Sequence, residues 1–394
     1  MKNQPGLRHV RFAFLLATLL TPVAWATALP AAPAMILQQD TVTLAEANQF
    51  GQDWETAVGQ NKMEQAKALV DWSLIASRVI EPFDVSEEFR TGFMRGASQL
   101  HRQILNPMSQ ALDRGGSYRF VKIVQREGKY HAIFRLLLPG DGGLNYHQLR
   151  LNKKAGQVVA DRFFVGISGE TLAETMRSAV GPAAMAQSAN KSNDALQKMN
   201  QLRQMSQAIR EGQRDRVMEI YSQLDDETKR SKICMLYRLM AIDADRQPDA
   251  FVKAVDEYIQ RFPNDPSLGL VTMDAAMLRG DAEFLKRAYN QLNNWVGGDD
   301  YLTLMVAGAL VGIGSPQAGI ELAGNTDPGP LKIADAHDYR LTVDLAKQDY
   351  PAVLKNLRIL RDQFGLEIQD ISKSENFAGF VQSPQYQQWL SDKK

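Results

Sequence analysis

The sequence predicts an α+β N-terminal domain of three helices and a four-stranded antiparallel meander, followed by an all-α solenoid of helical hairpins. Three observations carry this. From about Asp194 to Gly365, apolar residues recur at a 34-residue period, and repetition at such a period marks stacked supersecondary units. Between Tyr118 and Ile167 the apolar pattern changes from the helical period to strict alternation, the mark of strands. Ahead of both, basic residues followed by a short apolar core have the build of a leader that is not part of the fold.

Residues 1–28 read as a cleavable secretory signal peptide. Lys2, Arg8 and Arg11 form the positive start, and Phe12 to Leu20 the apolar core. Ala24-Trp25-Ala26 or Ala26-Thr27-Ala28 supplies the small-x-small cleavage site. No Cys follows the leader, so there is no lipobox. The chain is expected in a bacterial periplasm or secreted. Residues 29–40, rich in Pro and Ala, are expected to form a flexible N-terminus.

The domain at 41–180 opens with three helical patterns. Leu44 to about Val58 is the first. Met63 to Ile80 is the second, with Ala66, Leu69, Val70 and Leu74 on neighbouring faces, and Glu81-Pro82 stops it. Ser86 starts the third, which runs along Phe89, Phe93, Ala97, Leu100 and Ile104; Pro107 is expected to kink or interrupt it. Four strands follow: Tyr118–Gln125, Lys129–Leu138, Leu144–Asn152 and Gln157–Ile167. The turns at Glu127-Gly128, Gly140 to Gly143 and Lys154-Ala155-Gly156 are too short for crossovers, so the strands pair antiparallel in order. Tyr130, Ala132, Phe134, Leu136 and Leu138 share one face, with Ile133 and Leu137 on the other. Helices ahead of a meander make an α+β layer. This element order resembles the nuclear transport factor 2-like and cystatin-like folds. The resemblance implies a cone able to hold a small ligand or an acid/base pair. The order also resembles small exported domains that end a strand with an Asp, here Asp161, before a Gly-Glu helix start, here Gly169-Glu170-Thr171-Leu172.

Residues 181–193, rich in Ala, Ser, Gln and Gly, read as a linker. Residues 194–365 then supply about five helical hairpins. Leu202, Met205 and Ile209 lie on one face of a first helix, and Val217, Ile220, Tyr221 and Leu224 on one face of a second. Between them, Gly212 in Glu211-Gly212-Gln213-Arg214 suits a left-handed helix end. The turn recurs at Asp245-Arg246-Gln247, Arg279-Gly280-Asp281, Ile313-Gly314-Ser315 and Lys347-Gln348-Asp349. The columns run Leu202, Leu236, Leu270 and Leu304; Met205, Leu239, Met273, Ala307 and Leu341; and Val217, Phe251, Leu285, Gly319 and Val353. The fourth unit supplies the weakest entries. One hairpin cannot bury its apolar faces alone, so neighbours stack.

The period, the paired helices, the second-helix opening Asp349-Tyr350-Pro351-Ala352-Val353-Leu354 and the closing Arg261-Phe262-Pro263 resemble tetratricopeptide repeats. The resemblance covers about 170 residues, with Leu in the Trp slot and Ser206, Met240, Asp274, Gly308 and Thr342 in the first small-residue slot. It implies a groove that takes an extended peptide or a partner helix. Gln201, Gln204, Arg238, Asp274, His337 and Arg340 would face that groove as partner-binding residues. Residues 366–394 are expected to cap the last repeat through Phe377, Phe380, Val381, Tyr386, Trp389 and Leu390.

Composition narrows the function. Lys+Arg and Asp+Glu both number 45, so there is no basic footprint for nucleic acid. The single Cys234 cannot form an internal disulfide and reads as a small core residue. No HExxH, CxxC, GxGxxG or P-loop occurs, and no metal or cofactor is expected. His131 and His147 lie on consecutive strands; they read as exposed strand residues or, if they approach across the meander, as a base or metal pair. Ser188-Ala189-Asn190-Lys191 matches SxxK, but without SDN or KTG it reads as chance. A cone would draw on Asp53, Asp71 and Asp161 as carboxylates and on Trp54, Trp72, Tyr118 and Tyr130 as aromatics. The simpler reading makes the aromatics core residues and pairs Asp161 with Arg162, Arg135 or a helix start. Beyond the leader, the apolar run Tyr301–Ile313 spans 13 residues. That is short for a membrane span, and it reads as a buried repeat helix.

The expected function is an exported, soluble, non-catalytic adaptor that binds a protein partner in the envelope through the repeat groove. The alternative is a periplasmic binding protein that holds a lipid or small apolar ligand in the cone. That alternative calls for an enclosed apolar pocket where an adaptor has a packed core. A hydrolase or isomerase needs converging titratable groups, and the sequence offers no such cluster.

Overall fold

The computed structural model describes residues 41–138, 143–188 and 192–392. The leader, the 29–40 segment, most of the Gly140–Gly143 turn and most of the SxxK stretch lie outside the described residues. The chain divides into two compact units, one ending at Val271 and the other beginning at Thr272. The division falls within 194–365, the stretch expected to hold the repeats.

Five helices, not three, precede the sheet. The first, α1 (Leu44–Gly59), opens with a capping box between Thr43 and Glu46. The expected second helix is two, α2 (Met63–Ala68) and α3 (Trp72–Ile80). It breaks because the backbone there pairs with a strand: Asp71 N–H donates to the Ala160 carbonyl at 2.9 Å, and Ala160 N–H to that of Leu69 at 2.8 Å. The Asp71 side chain then caps α3 by accepting from Leu74 N–H at 3.1 Å. The expected third helix is also two, α4 (Glu87–Ala97) and α5 (Leu100–Asp113). They part where the bonds at Ser98 and Gln99 tighten to the carbonyls three residues back. Pro107 lies within α5 and does not interrupt it.

The sheet has five strands: β1 (Ser117–Arg126), β2 (Lys129–Leu137), β3 (Leu144–Lys154), β4 (Gln157–Val165) and β5 (Glu170–Thr171). They pair antiparallel in that order. The extra strand, β5, has two residues and so carries no readable alternation. Along β2, Ala132, Phe134 and Leu136 on one face and Ile133 on the other are all fully buried. Helix α1 packs against the sheet at Gly51, where a Cβ would meet the Phe120 ring at 2.5 Å. After β5, α6 (Leu172–Ser188) starts on a second capping box, Thr171 with Glu174. Residues 181–188, expected as linker, continue this helix.

The rest of the first unit is helical: α7 (Ser192–Arg210), α8 (Arg214–Gln223), α9 (Asp226–Lys229), α10 (Lys232–Ala241), α11 (Pro248–Arg261) and α12 (Leu268–Val271). Met205, Val217, Ile220, Leu224, Cys234 and Tyr237 close one core between α7, α8 and α10. The second unit holds α13 (Met273–Arg279), α14 (Ala282–Val296), α15 (Asp300–Gly312), α16 (Pro316–Ala323), α17 (Ala334–Lys347) and α18 (Tyr350–Asp362). It ends in α19 (Ala378–Val381) and α20 (Pro384–Ser391). The five expected turns all fall between helices, with left-handed backbone at Gly212, Gly280, Gly314 and Gln348. At the C-terminus Phe377, Phe380, Tyr386 and Trp389 join Val353, Leu357 and Leu360 in one core, with the Arg361 guanidinium 4.9 Å from the Trp389 ring centre. No helix among the described residues is long and apolar enough to cross a membrane.

Candidate functional site

The six residues expected to face a groove divide between the units. Gln201 and Gln204 lie on α7, Arg238 on α10, Asp274 on α13, and His337 and Arg340 on α17. Gln204 is exposed and Gln201 half-buried. Neither side-chain amide is hydrogen-bonded to a described residue. Arg238 is committed within the fold: it pairs with Glu257 on α11 and lies 5.6 Å from the Tyr221 ring centre on α8. Arg340 is committed too, donating to Asp344 at 2.9 Å and to the Gly324 carbonyl at 2.9 Å.

His337 does not face a groove. It is 3 % exposed, and its Nδ1 lies 2.9 Å from Asn356 Oδ1. Asn356 Nδ2 donates in turn to Asp344 at 3.0 Å. Burial pushes the Asp344 carboxyl upward, and Arg340 opposes that. The network satisfies a buried carboxylate and joins α17 to α18, so His337 is a core residue.

The space between α1 and the sheet is filled by rings. Trp54 is fully buried, with ring centres 6.4 Å from Phe134 and 6.3 Å from Phe163. Tyr118 stacks on Phe134 at 5.3 Å. Trp54 Nε1–H donates to Tyr118 Oη at 3.1 Å, and Tyr118 Oη lies 3.3 Å from His147 Nδ1. With the indole N–H donating, the tyrosine hydroxyl is free to donate to a neutral imidazole. Burial pulls the His147 imidazole down to about 3, so it is uncharged at neutral pH.

His131 and His147 do not meet. The β2–β3 register sets Phe134 opposite His147 and His131 opposite Arg150, which puts the two imidazoles on opposite faces of the sheet. His131 Nδ1 accepts from Gln148, whose carbonyl accepts from Arg126 at 2.7 Å. Burial first, then Arg126, Arg150 and Arg162, brings His131 down to about 4. Nor do the three proposed carboxylates converge. Asp53 is exposed on α1, accepting from Gln49 at 2.8 Å. Asp71 caps α3 and pairs with Lys154 at 2.7 Å.

Asp161 is the centre of a cluster that sequence reasoning missed. The β3–β4 register shifts here: Arg150 pairs with Arg162 and Leu151 with Ala160, which leaves Asp161 as a bulge. Bulges re-aim side chains. Asp161, 5 % exposed, takes a two-pronged bond from Arg150 at 2.7 and 2.9 Å. Arg78 on α3 donates to the Asp161 carbonyl and lies 3.8 Å from its carboxylate. The Asp161 carboxylate is thus held by Arg150 and Arg78, with Asn152 Nδ2 donating at 3.5 Å. Beside this pair a cavity of about 220 Å³ opens between α3, β4 and the start of α6. Arg78, Arg162 and Arg177 line it, with Glu81, Glu174, and the apolar Ile75, Phe163 and Ala173. The one signal in the sequence was the Asp161-Arg162 pair within a strand.

Among the described residues, no group of three or more His, Cys, Asp or Glu could hold a metal ion. Burial raises the Cys234 thiol to about 11. Compared with known proteins, the chain matches no family model, no curated sequence and no solved structure.

Proposed function

We propose that this chain is an exported, non-catalytic adaptor that binds a protein partner through its helical hairpins. The observation that carries the reading is the 34-residue step between helices that start at Arg214, Pro248, Ala282, Pro316 and Tyr350. Helical hairpins of this tetratricopeptide-like kind offer their first helices to an extended segment or a partner helix. The ring-filled interior between α1 and the sheet favours the adaptor over a carrier of apolar ligands. On α7, the side-chain amides of Gln201 and Gln204 are open to a partner. The leader-like residues 1–28 support export to the periplasm or beyond.

The test is site-specific photocrosslinking in the intact chain. A crosslinker at Gln204 is expected to capture one discrete envelope protein, and a crosslinker at the exposed Asp53 on α1 to capture none. Gln201→Arg should weaken the Gln204 adduct. Equal capture from both sites, or none from Gln204, would reject the adaptor.

A further inference from the structure

We propose that the cavity between α3, β4 and α6 is a binding site for a small oxyanion, a phosphate or a carboxylate group, held by Arg162, Arg177 and Arg78. The argument begins with charge. Arg150 already neutralises Asp161 through its two-pronged bond. The cavity walls then carry three guanidinium groups against the carboxylates of Glu81 and Glu174. Glu174 is turned to the start of its own helix, where it accepts from Thr171 N–H at 2.7 Å and from Thr171 Oγ1 at 2.8 Å. Glu81 is exposed at the end of α3 and pairs with no described residue.

Two of the arginines have donors to spare. Arg162 makes neither a hydrogen bond nor an ion pair with any described residue; burial disfavours its charge most, Arg150 and Arg78 add to that, and Asp161 and Glu174 oppose them. Arg177 is anchored by one bond, Nη2–H to the Arg78 carbonyl at 2.8 Å. An anion between Arg162 and Arg177 would accept from the unpaired Arg162 guanidinium, whose planar fork suits phosphate and carboxylate alike.

Size and walls limit the ligand. The cavity, at about 220 Å³, is smaller than the roughly 300–1,000 Å³ of sites for drug-sized molecules. Ile75, Phe163 and Ala173 give it one apolar side, so a short hydrocarbon body can follow the charged group. This site lies on the sheet and does not depend on the repeat groove.

The experiment is calorimetric titration of the purified full chain with inorganic phosphate and, separately, with acetate at matched ionic strength. Saturable binding of one equivalent of either anion is expected. Arg162→Gln should weaken it about tenfold or more, Arg162→Lys should recover part of the loss, and the exposed Arg246→Gln, away from the cavity, should leave it unchanged. Arg162 is exposed, so these variants should keep the fold, and their thermal melts check that. Preference for phosphate assigns a phosphoryl ligand, and preference for acetate a carboxylate. Absence of binding by both anions, or equal binding by wild type and Arg162→Gln, would overturn the site.

Discussion

The Lys232 ammonium on α10 lies 2.5 Å from the Asp265 carboxylate, and both side chains are largely shielded from solvent. Glu170 on β5 is the second acid at the same ammonium, 3.5 Å away. Burial pushes the Glu170 carboxyl upward, and Lys232 counters it. The group ties the sheet to α10 and to the chain ahead of α12, which is one reason why these elements form a single compact unit. Removing one partner of a buried pair strands the other. Lys232→Met should therefore cost about 3–5 kcal/mol, read from denaturant midpoints. A loss under about 1 kcal/mol would show that the pair is solvated.

His131 and His147 make stability depend on acid. Both imidazoles titrate near 6.5 when unfolded, but near 4 and 3 in the folded chain. Between those values the unfolded chain holds more protons than the native one, so stability rises with pH. The contribution is complete above about pH 6.5 and is lost as pH falls toward about 4 for His131 and about 3 for His147. Each histidine adds a slope of up to about 1.4 kcal/mol per pH unit. Urea midpoints across this range should show a steep acid limb, and His147→Gln should flatten it by about half. An unchanged slope in both His147→Gln and His131→Gln would mean that neither imidazole is held neutral by the fold.

The residues that were legible in the sequence are those whose reasons are local. Gly212, Gly280 and Gly314 announced turns because each takes a left-handed backbone. Four strands were read because alternation is a property of each strand alone. What escaped depends on partners far along the chain. The break between α2 and α3 exists because residues 69–71 bond to Ala160. The faces of His131 and His147 follow from the β2–β3 register, which alternation leaves open. Arg78, Arg162 and Arg177 come from three separate elements without a shared spacing, and a bulge that no local pattern marks brings Asp161 beside Arg78. At α17, the repeat column placed His337 correctly on a helix, but not its pairing with Asn356.

Gly319 is the weak entry in its column because two helices touch there. A Cβ at Gly319 on α16 would lie 2.5 Å from the Ala307 carbonyl oxygen and 2.7 Å from Val311 Cγ2, both on α15. The first contact is backbone and cannot rotate away. Alanine gains roughly 1 kcal/mol over glycine by helix propensity alone, while overpacking costs about 1–3 kcal/mol. Contact at 2.5 Å lies at the costly end, so Gly319→Ala should lower stability by about 1–2 kcal/mol. Gly59 on α1 is the control, because a Cβ there meets nothing within 4 Å. Gly59→Ala should leave the melting temperature unchanged or raise it. If Gly319→Ala melts at or above wild type, the close approach of α15 and α16 is not what fixes glycine at this position.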